Sequence, residues 1–327
     1  DPSKEAMKAK YTCRLSQRPD GTWKCTVRLV ACGYSQIPGR DYDETFAPTA
    51  KYQSVCTVLN IAAVYDWEVH GIDVENAFLE SDLLETIYMN LPTDCYTHPD
   101  GKPVKVLLRK SLYGLKQAGE RFYQLLKTTL IDASIDCTAH DRCVFTQKDP
   151  DTGDTIIVIT YVDDIIITGS NPSRIAAVTA TLHAAFQKIN VDHEFRRYIG
   201  VDITRNHADH SITMTQAPYT KHIIATNLPA NTTRKPLPLN PSTDFITSRN
   251  LEQTADPSLL PPIGQIRYLA DRTRPELLAP LSLLSRHATQ PTPVHTTGVK
   301  QIVRYLQTDP SNGITYSKCP SNEILLY

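Results

Sequence analysis

The sequence predicts a mixed fold of helices and strands, α+β in class, and three observations carry that expectation. TIIVITYVDDIIITGS joins two strongly β-forming runs at a pair of aspartates. YQSVCTVLNIAAVYD places Val55, Val58, Leu59, Ala62 and Ala63 at helical spacing, directly before WEVHGIDV, which reads as a buried strand. Near the C-terminal end, QIRYLADRTRPELLAPLSLLSRHA and VKQIVRYLQT are helical by pattern.

The elements follow in order. Residues 10–32 alternate as a hairpin around PDG at 19–21, closing at Gly33. After DYDETFAP come the helix and strand just described. From Gly119 to Leu130 the side chains of Phe122, Leu125, Leu126 and Leu130 fit one helix face. Beyond the acidic pair, Asn171 is placed to cap a helix whose first residue is Pro172 and whose apolar face carries Ile175, Val178, Leu182 and Phe186. EFRRYIGVDITRN and HSITMTQ read as two further strands and APYTKHIIATNL as a helix. Residues 229–262, rich in proline, threonine, serine and asparagine, read as an irregular linker. Val299, Ile302, Val303 and Leu306 form the apolar stripe of the last helix.

Length and composition bound the function. With 327 residues, 41% hydrophobic and 21% charged, the chain can hold two or three domains and a buried cleft; disordered and fibrous classes are excluded. No run of eighteen apolar residues occurs and the opening DPSKEAMKAKY is polar, so neither a membrane span nor a secretory signal is expected. Eight cysteines without a C-x-x-C pair predict free thiols in a reducing compartment. The net charge of -1 does not mark a nucleic-acid binder. Residues 1–40, however, hold eight basic side chains against three acids, a bias that suits either phosphates or a solvated face.

The chemistry centres on Asp163 and Asp164. Adjacent carboxylates between two strands repel unless a cation offsets them, and hard oxygen donors suit magnesium. Asp73 closes the apolar strand WEVHGID. Three acids from two strands would make a two-metal site that clamps the attacking and leaving oxygens of phosphoryl transfer. A solvated Asp-Asp turn is the blander alternative.

DETFAP, EVHGIDVENAFL, KSLYGLKQAG, YVDDIIITGS, YIGVDI and TRPELLAPLSLLSRH, in that order over roughly residues 26–316, resemble the reverse transcriptases of LTR retrotransposons of the Ty1/copia type. That resemblance implies a right-hand polymerase: residues 1–72 mainly fingers, shortened at their start; 73–228 palm with the YVDD hairpin; 229–327 thumb and connection. It implies RNA-directed DNA polymerase activity, with Asp73, Asp163 and Asp164 as catalytic and metal-holding residues for two Mg2+, or Mn2+ in their place. Phe78 would block a ribonucleotide 2′-hydroxyl, although a plain core role is the alternative. Gly114 would let the backbone approach a base pair, and Lys116 and Gln117 would line the nucleotide and template side of the cleft. Lys24 and Arg28 would hold the triphosphate.

The expected partners are an RNA or DNA template with its primer, and dNTPs. RNase H and integrase regions are expected in the parent polyprotein, outside this chain. Cytoplasmic virus-like particles are the implied location, with the nucleus as the alternative. Departures from the family pattern include Thr26 for a lysine and Cys32 for an arginine in the finger strand, and Gly119 and Phe122 for a proline and a tryptophan. They keep open a second reading: a decayed or domesticated copy that binds nucleic acid without polymerising.

Overall fold

The computed structural model describes residues 5–17, 21–96, 98–240 and 259–318. The chain divides into two compact units, residues 1–58 with 67–193, and residues 59–66 with 194–327.

In the first unit the elements run β1 (Met7–Gln17), β2 (Trp23–Ala31), α1 (Tyr52–Tyr65, continuing into the second unit), β3 (Glu68–Val74), β4 (Asp82–Asn90), β5 (Lys105–Lys110), α2 (Ala118–Asp132), β6 (Asp136–Cys137), β7 (Val144–Lys148), β8 (Thr155–Tyr161), β9 (Asp164–Gly169), α3 (Pro172–Ala185) and β10 (Ile189–Asp192). They build a four-stranded sheet, order β2-β1-β4-β5, and a six-stranded sheet, order β10-β3-β9-β8-β7-β6. The expected hairpin forms: β1 and β2 pair antiparallel from Ala9 opposite Ala31 to Gln17 opposite Trp23, while residues 19 and 20 of its PDG turn lie outside the described residues.

The six-stranded sheet exists because its strands are near-continuous β-branched runs. Ile156, Ile157, Val158 and Ile159 of β8 and Ile165, Ile166 and Ile167 of β9 are all buried, as expected of strands covered on both faces. Phe122, Leu126 and Leu130 of α2 and Ile175, Val178 and Leu182 of α3 are buried too. The Asn171 side chain accepts the Ser173 N–H with Pro172 in the first turn, the expected cap. The strand WEVHGIDV is only half-buried: Ile72 and Val74 are enclosed, while Glu68 and Asp73 are exposed.

The second unit holds β11 (Arg197–Tyr198), β12 (Val201–Asn206), β13 (Ser211–Thr215), α4 (Ala217–Asn227), α5 (Leu260–Arg272), α6 (Leu278–Ser285), α7 (Pro293–Leu306) and β14 (Ile314–Tyr316). The four strands form one antiparallel sheet in that order. EFRRYIGVDITRN is two strands and not one, because Ile199 and Gly200 turn back at φ 44° and 76°. The linker also ends earlier than expected. Residues 229–240 form no helix or strand, residues 241–258 lie outside the described residues, and Pro261 and Pro262 occupy the first turn of α5, where their missing N–H groups cost no helical bond. The helical reading of TRPELLAPL breaks at a 3-10 turn, Pro275–Leu277. Ile266 and Leu269 of α5, Leu281 and Leu284 of α6, and Ile302, Val303 and Leu306 of α7 make this unit's core.

One buried carboxylate ties the first unit together. Asp141 Oδ2 accepts the Lys51 N–H at 2.9 Å and the Ser54 hydroxyl at 2.7 Å, and its Oδ1 accepts the Cys143 N–H at 3.0 Å. It thereby ties Lys51, just before α1, and Ser54 in its first turn to a distant loop. Burial would raise its pKa, but the bonds from Ser54, Cys143 and Lys51 outweigh that and hold it below the usual carboxylate range. Asp141→Ala strands two backbone donors, and a loss of about 3 kcal/mol is expected in urea denaturation at pH 7. Because the folded pKa is depressed, the difference from the parent should shrink as pH falls through and below 4.

Candidate active site

Antiparallel register sets the site. Asp73 in β3 stands directly opposite Asp164 in β9, Asp164 stands opposite Tyr161 in β8, and Asn190 in β10 stands opposite Asp73. Residues directly opposite in antiparallel strands project to the same face. Asn190, Asp73, Asp164 and Tyr161 therefore form one row across four strands.

Asp163 sits one step off this row, in the two-residue turn between Tyr161 and Asp164. A turn that short needs positive φ at its first position, which glycine or asparagine normally supplies. Here Val162 carries it, at φ 58°. A β-branched residue in that region is strained by about 1–3 kcal/mol, and such strain gathers at functional sites. The turn is anchored by the Val74 N–H, which donates to the Asp163 carbonyl at 3.0 Å.

The electrostatics follow from the crowding. Burial first, and then the Asp163 and Asp73 charges, push Asp164 up to about 6. Burial also leads the causes that raise Asp163; Asp73 adds to it, against the residue's own N–H and Arg28. Three hard oxygen donors whose charges oppose one another fit a divalent cation in chemistry. Among the described residues, no three His, Cys, Asp or Glu side chains converge closely enough to hold a metal ion as they stand.

Arg28 reaches this cluster from β2. In the β1–β2 ribbon, alternation puts Lys10, Arg14, Lys24 and Arg28 on one face and Tyr11, Leu15, Trp23 and Val27 on the other. The Arg28 guanidinium lies over the Tyr113 ring at 5.4 Å, and the Phe78 ring meets Tyr113 edge-on at 4.9 Å. Tyr113 is half-buried. Burial raises its hydroxyl pKa, the Asp163 and Asp73 charges add to that, and Arg28 opposes them. Sequence reasoning passed over Tyr113, although its place beside Gly114 in SLYGLKQ was the available signal. Lys24 is exposed, and its charge bears on Glu75.

Three expected residues sit differently. Gln117 is fully buried: its amide donates to the Asp41 carbonyl at 2.9 Å, and its Oε1 accepts from Gln36 at 2.9 Å. It braces the loop and does not line a cleft. Gln36, which sequence reasoning missed, accepts the Lys116 N–H at 2.8 Å. The Lys116 ammonium is exposed and bonds the Tyr42 hydroxyl at 3.1 Å. Gly114, at φ 93°, is pressed against the backbone of Ala31, which leaves no room for a side chain there. The departures Gly119 and Phe122 line one small crevice with Ala47, Pro48, Thr160 and Val162.

Comparison with known proteins gives the family. A model of the reverse transcriptase (RNA-dependent DNA polymerase) family matches residues 4–240. The chain is 35% identical over 301 residues to the retrovirus-related Pol polyprotein from transposon RE2 of Arabidopsis thaliana, covering 89% of this chain and 20% of that protein. It is 34% identical over 297 residues to the corresponding polyprotein from transposon RE1 of the same plant, covering 89% and 19%. To the polyprotein from transposon TNT 1-94 of Nicotiana tabacum it is 29% identical over 313 residues, covering 93% and 23%. The chain thus spans about a fifth of the length of these curated relatives. With the acidic hairpin and its paired strand in place, the chain belongs to the reverse transcriptase (RNA-dependent DNA polymerase) family, in its copia-type retrotransposon branch.

Proposed function

We propose that this chain extends a primer on an RNA or DNA template by adding deoxynucleotides from dNTPs. The register that seats Asp73 opposite Asp164, with Asp163 in the turn between β8 and β9, is the observation that carries this reading. The primer 3′-hydroxyl attacks the α-phosphorus in line; the new P–O bond forms as the bond to the β-phosphate oxygen breaks and pyrophosphate leaves. Two Mg2+ held by Asp73, Asp163 and Asp164, or Mn2+ in their place, would supply an activated hydroxyl and a neutralised triphosphate.

The chain's own groups do the positioning. Arg28 offers a planar guanidinium at the edge of the acidic cluster, suited to a phosphate oxygen pair, and Lys24 adds a point charge on the same basic face of the ribbon. Phe78, partly buried against the core cluster of Met7, Ala31, Ile87 and Met89 and braced edge-on by Tyr113, would wall off a ribose 2′-hydroxyl. Lys116, its exposed ammonium resting on Tyr42, would exchange that contact for the template backbone. In this reading the β1–β2 ribbon belongs to the fingers, the six-stranded sheet is the palm, and the helices after residue 229 are thumb and connection. Among the described residues no helix is long and apolar enough to cross a membrane. Such a domain would work beside the RNase H and integrase regions of a parent polyprotein, in cytoplasmic particles or the nucleus.

The test is primer extension on poly(rA)/oligo(dT) with Mg2+, comparing the chain with Asp163→Asn. Template-dependent incorporation that disappears in the variant supports the proposal. Duplex binding with no incorporation by either protein would instead favour the decayed or domesticated reading.

A further inference from the structure

We infer that Asn190 is a positioning residue for Asp73, holding one of its carboxylate oxygens so that the other is presented to a divalent cation. The inference rests on the two-metal reading above.

Asn190 lies on β10, the edge strand of the six-stranded sheet, and is the direct cross-strand neighbour of Asp73. Its Nδ2 sits 3.4 Å from Asp73 Oδ2 and 2.9 Å from Glu75 Oε1. Both partners are carboxylates, which only accept, so the amide must turn its NH2 toward them; its orientation is fixed by chemistry. Glu75 is itself held, since Lys188 Nζ meets the same Oε1 at 2.9 Å and the Glu75 N–H donates to the Lys188 carbonyl at 3.0 Å. The chain of contacts therefore runs from Lys188 through Glu75 and Asn190 to Asp73.

The choice of side chain matters. A lysine beside Asp73 would neutralise it and compete with a bound cation, and an aspartate would add a fourth repelling charge. A neutral amide orients the carboxylate and leaves its charge intact. This is the work that residues behind a metal ligand perform, and removing them typically weakens metal binding by about 10–100-fold. The 3.4 Å separation is long for a hydrogen bond, which places Asn190 at the lower end of that range.

The measurement is Mg2+ titration of the 327-residue chain without nucleic acid, followed by thermal shift and calorimetry. Asn190→Ala should melt like the parent in EDTA, because the side chain is exposed on an edge strand, and its Mg2+ midpoint should rise about tenfold. Should that variant fail to fold, Asn190→Leu carries the same expectation, being similar in size and better suited to a strand. A parent that responds to Mg2+ and a folded variant that responds at the same concentration overturn the inference and leave the two-metal reading standing. A parent with no Mg2+ response overturns both.

Discussion

Asp164→Asn is expected to make the metal-free protein more stable at pH 7 while lowering primer extension by at least about a thousandfold. Both effects come from the same crowding. Burial and then the charges of Asp163 and Asp73 lift the Asp164 pKa from 3.8 to about 6. A carboxyl that binds its proton more tightly folded than unfolded gives stability that is whole below about pH 4 and is lost as pH rises through about 6. At pH 7 Asp164 is ionised and that contribution is gone. Asparagine keeps the shape without the charge, so the gain should be about 1–2 kcal/mol, after discounting for solvent at a partly exposed group. The difference between variant and parent should vanish near pH 4, which melting curves in EDTA at the two pH values would show. The catalytic loss follows because a metal-assisted phosphoryl transfer draws several kcal/mol from the ions, and each 1.36 kcal/mol is a factor of ten in rate. A variant no more stable than the parent at pH 7 would mean that burial and the neighbouring charges together do not disfavour the ionised carboxylate as the geometry requires.

The site was legible in the sequence to the extent that it is made of strand pattern. TIIVITYVDDIIITGS announces two buried strands and an acidic turn, and the apolar run before Asp73 announces a third. Pairing them needs only that the sheet be antiparallel, and the register then brings Asp73 and Asp164 together. What the pattern could not show is which turn residue bears positive φ: Val162 contradicts every local preference and is held there by the surrounding sheet. Nor could it distinguish a buried glutamine from one lining a cleft. In KQAG nothing marks Gln117 as enclosed; its role appears only when Gln36 and Asp41, some eighty residues away, close over it. Asn190 was invisible for the same reason, as its meaning lies wholly in being one strand over from Asp73. The misplaced end of the linker is a local matter. Two prolines read as loop, yet the first turn of a helix tolerates both.

Gly114→Ala is expected to destabilise the first unit by at least about 4 kcal/mol, the largest stability change of any single methyl addition proposed for this chain. Two causes add. At φ 93° an alanine pays for a backbone conformation that costs an L-residue about 1–2 kcal/mol. The added Cβ would also lie 2.1 Å from the Ala31 carbonyl oxygen, with the Ala31 carbon and nitrogen at 3.1 and 3.2 Å. Backbone cannot swing aside as a side-chain tip can. Ala31 is fixed by its own N–H, which donates to the Tyr113 carbonyl at 2.8 Å, and the next residue's N–H donates to the Lys8 carbonyl at 2.8 Å. Relief of the clash must therefore part the Tyr113–Gly114 loop from the end of β2, and with it the Arg28–Tyr113–Phe78 stack at the edge of the aspartates. Gly39→Ala separates the two causes, since Gly39 has φ 74° and nothing within 4 Å of an added Cβ. That variant should lose only about 1–2 kcal/mol in urea denaturation and leave primer extension unchanged. Equal losses in the two variants would show that conformation alone requires the glycine at 114. A much larger loss in Gly114→Ala, with weakened dNTP use in whatever fraction stays folded, would show that the close approach of two backbones is what places Arg28 beside Asp163.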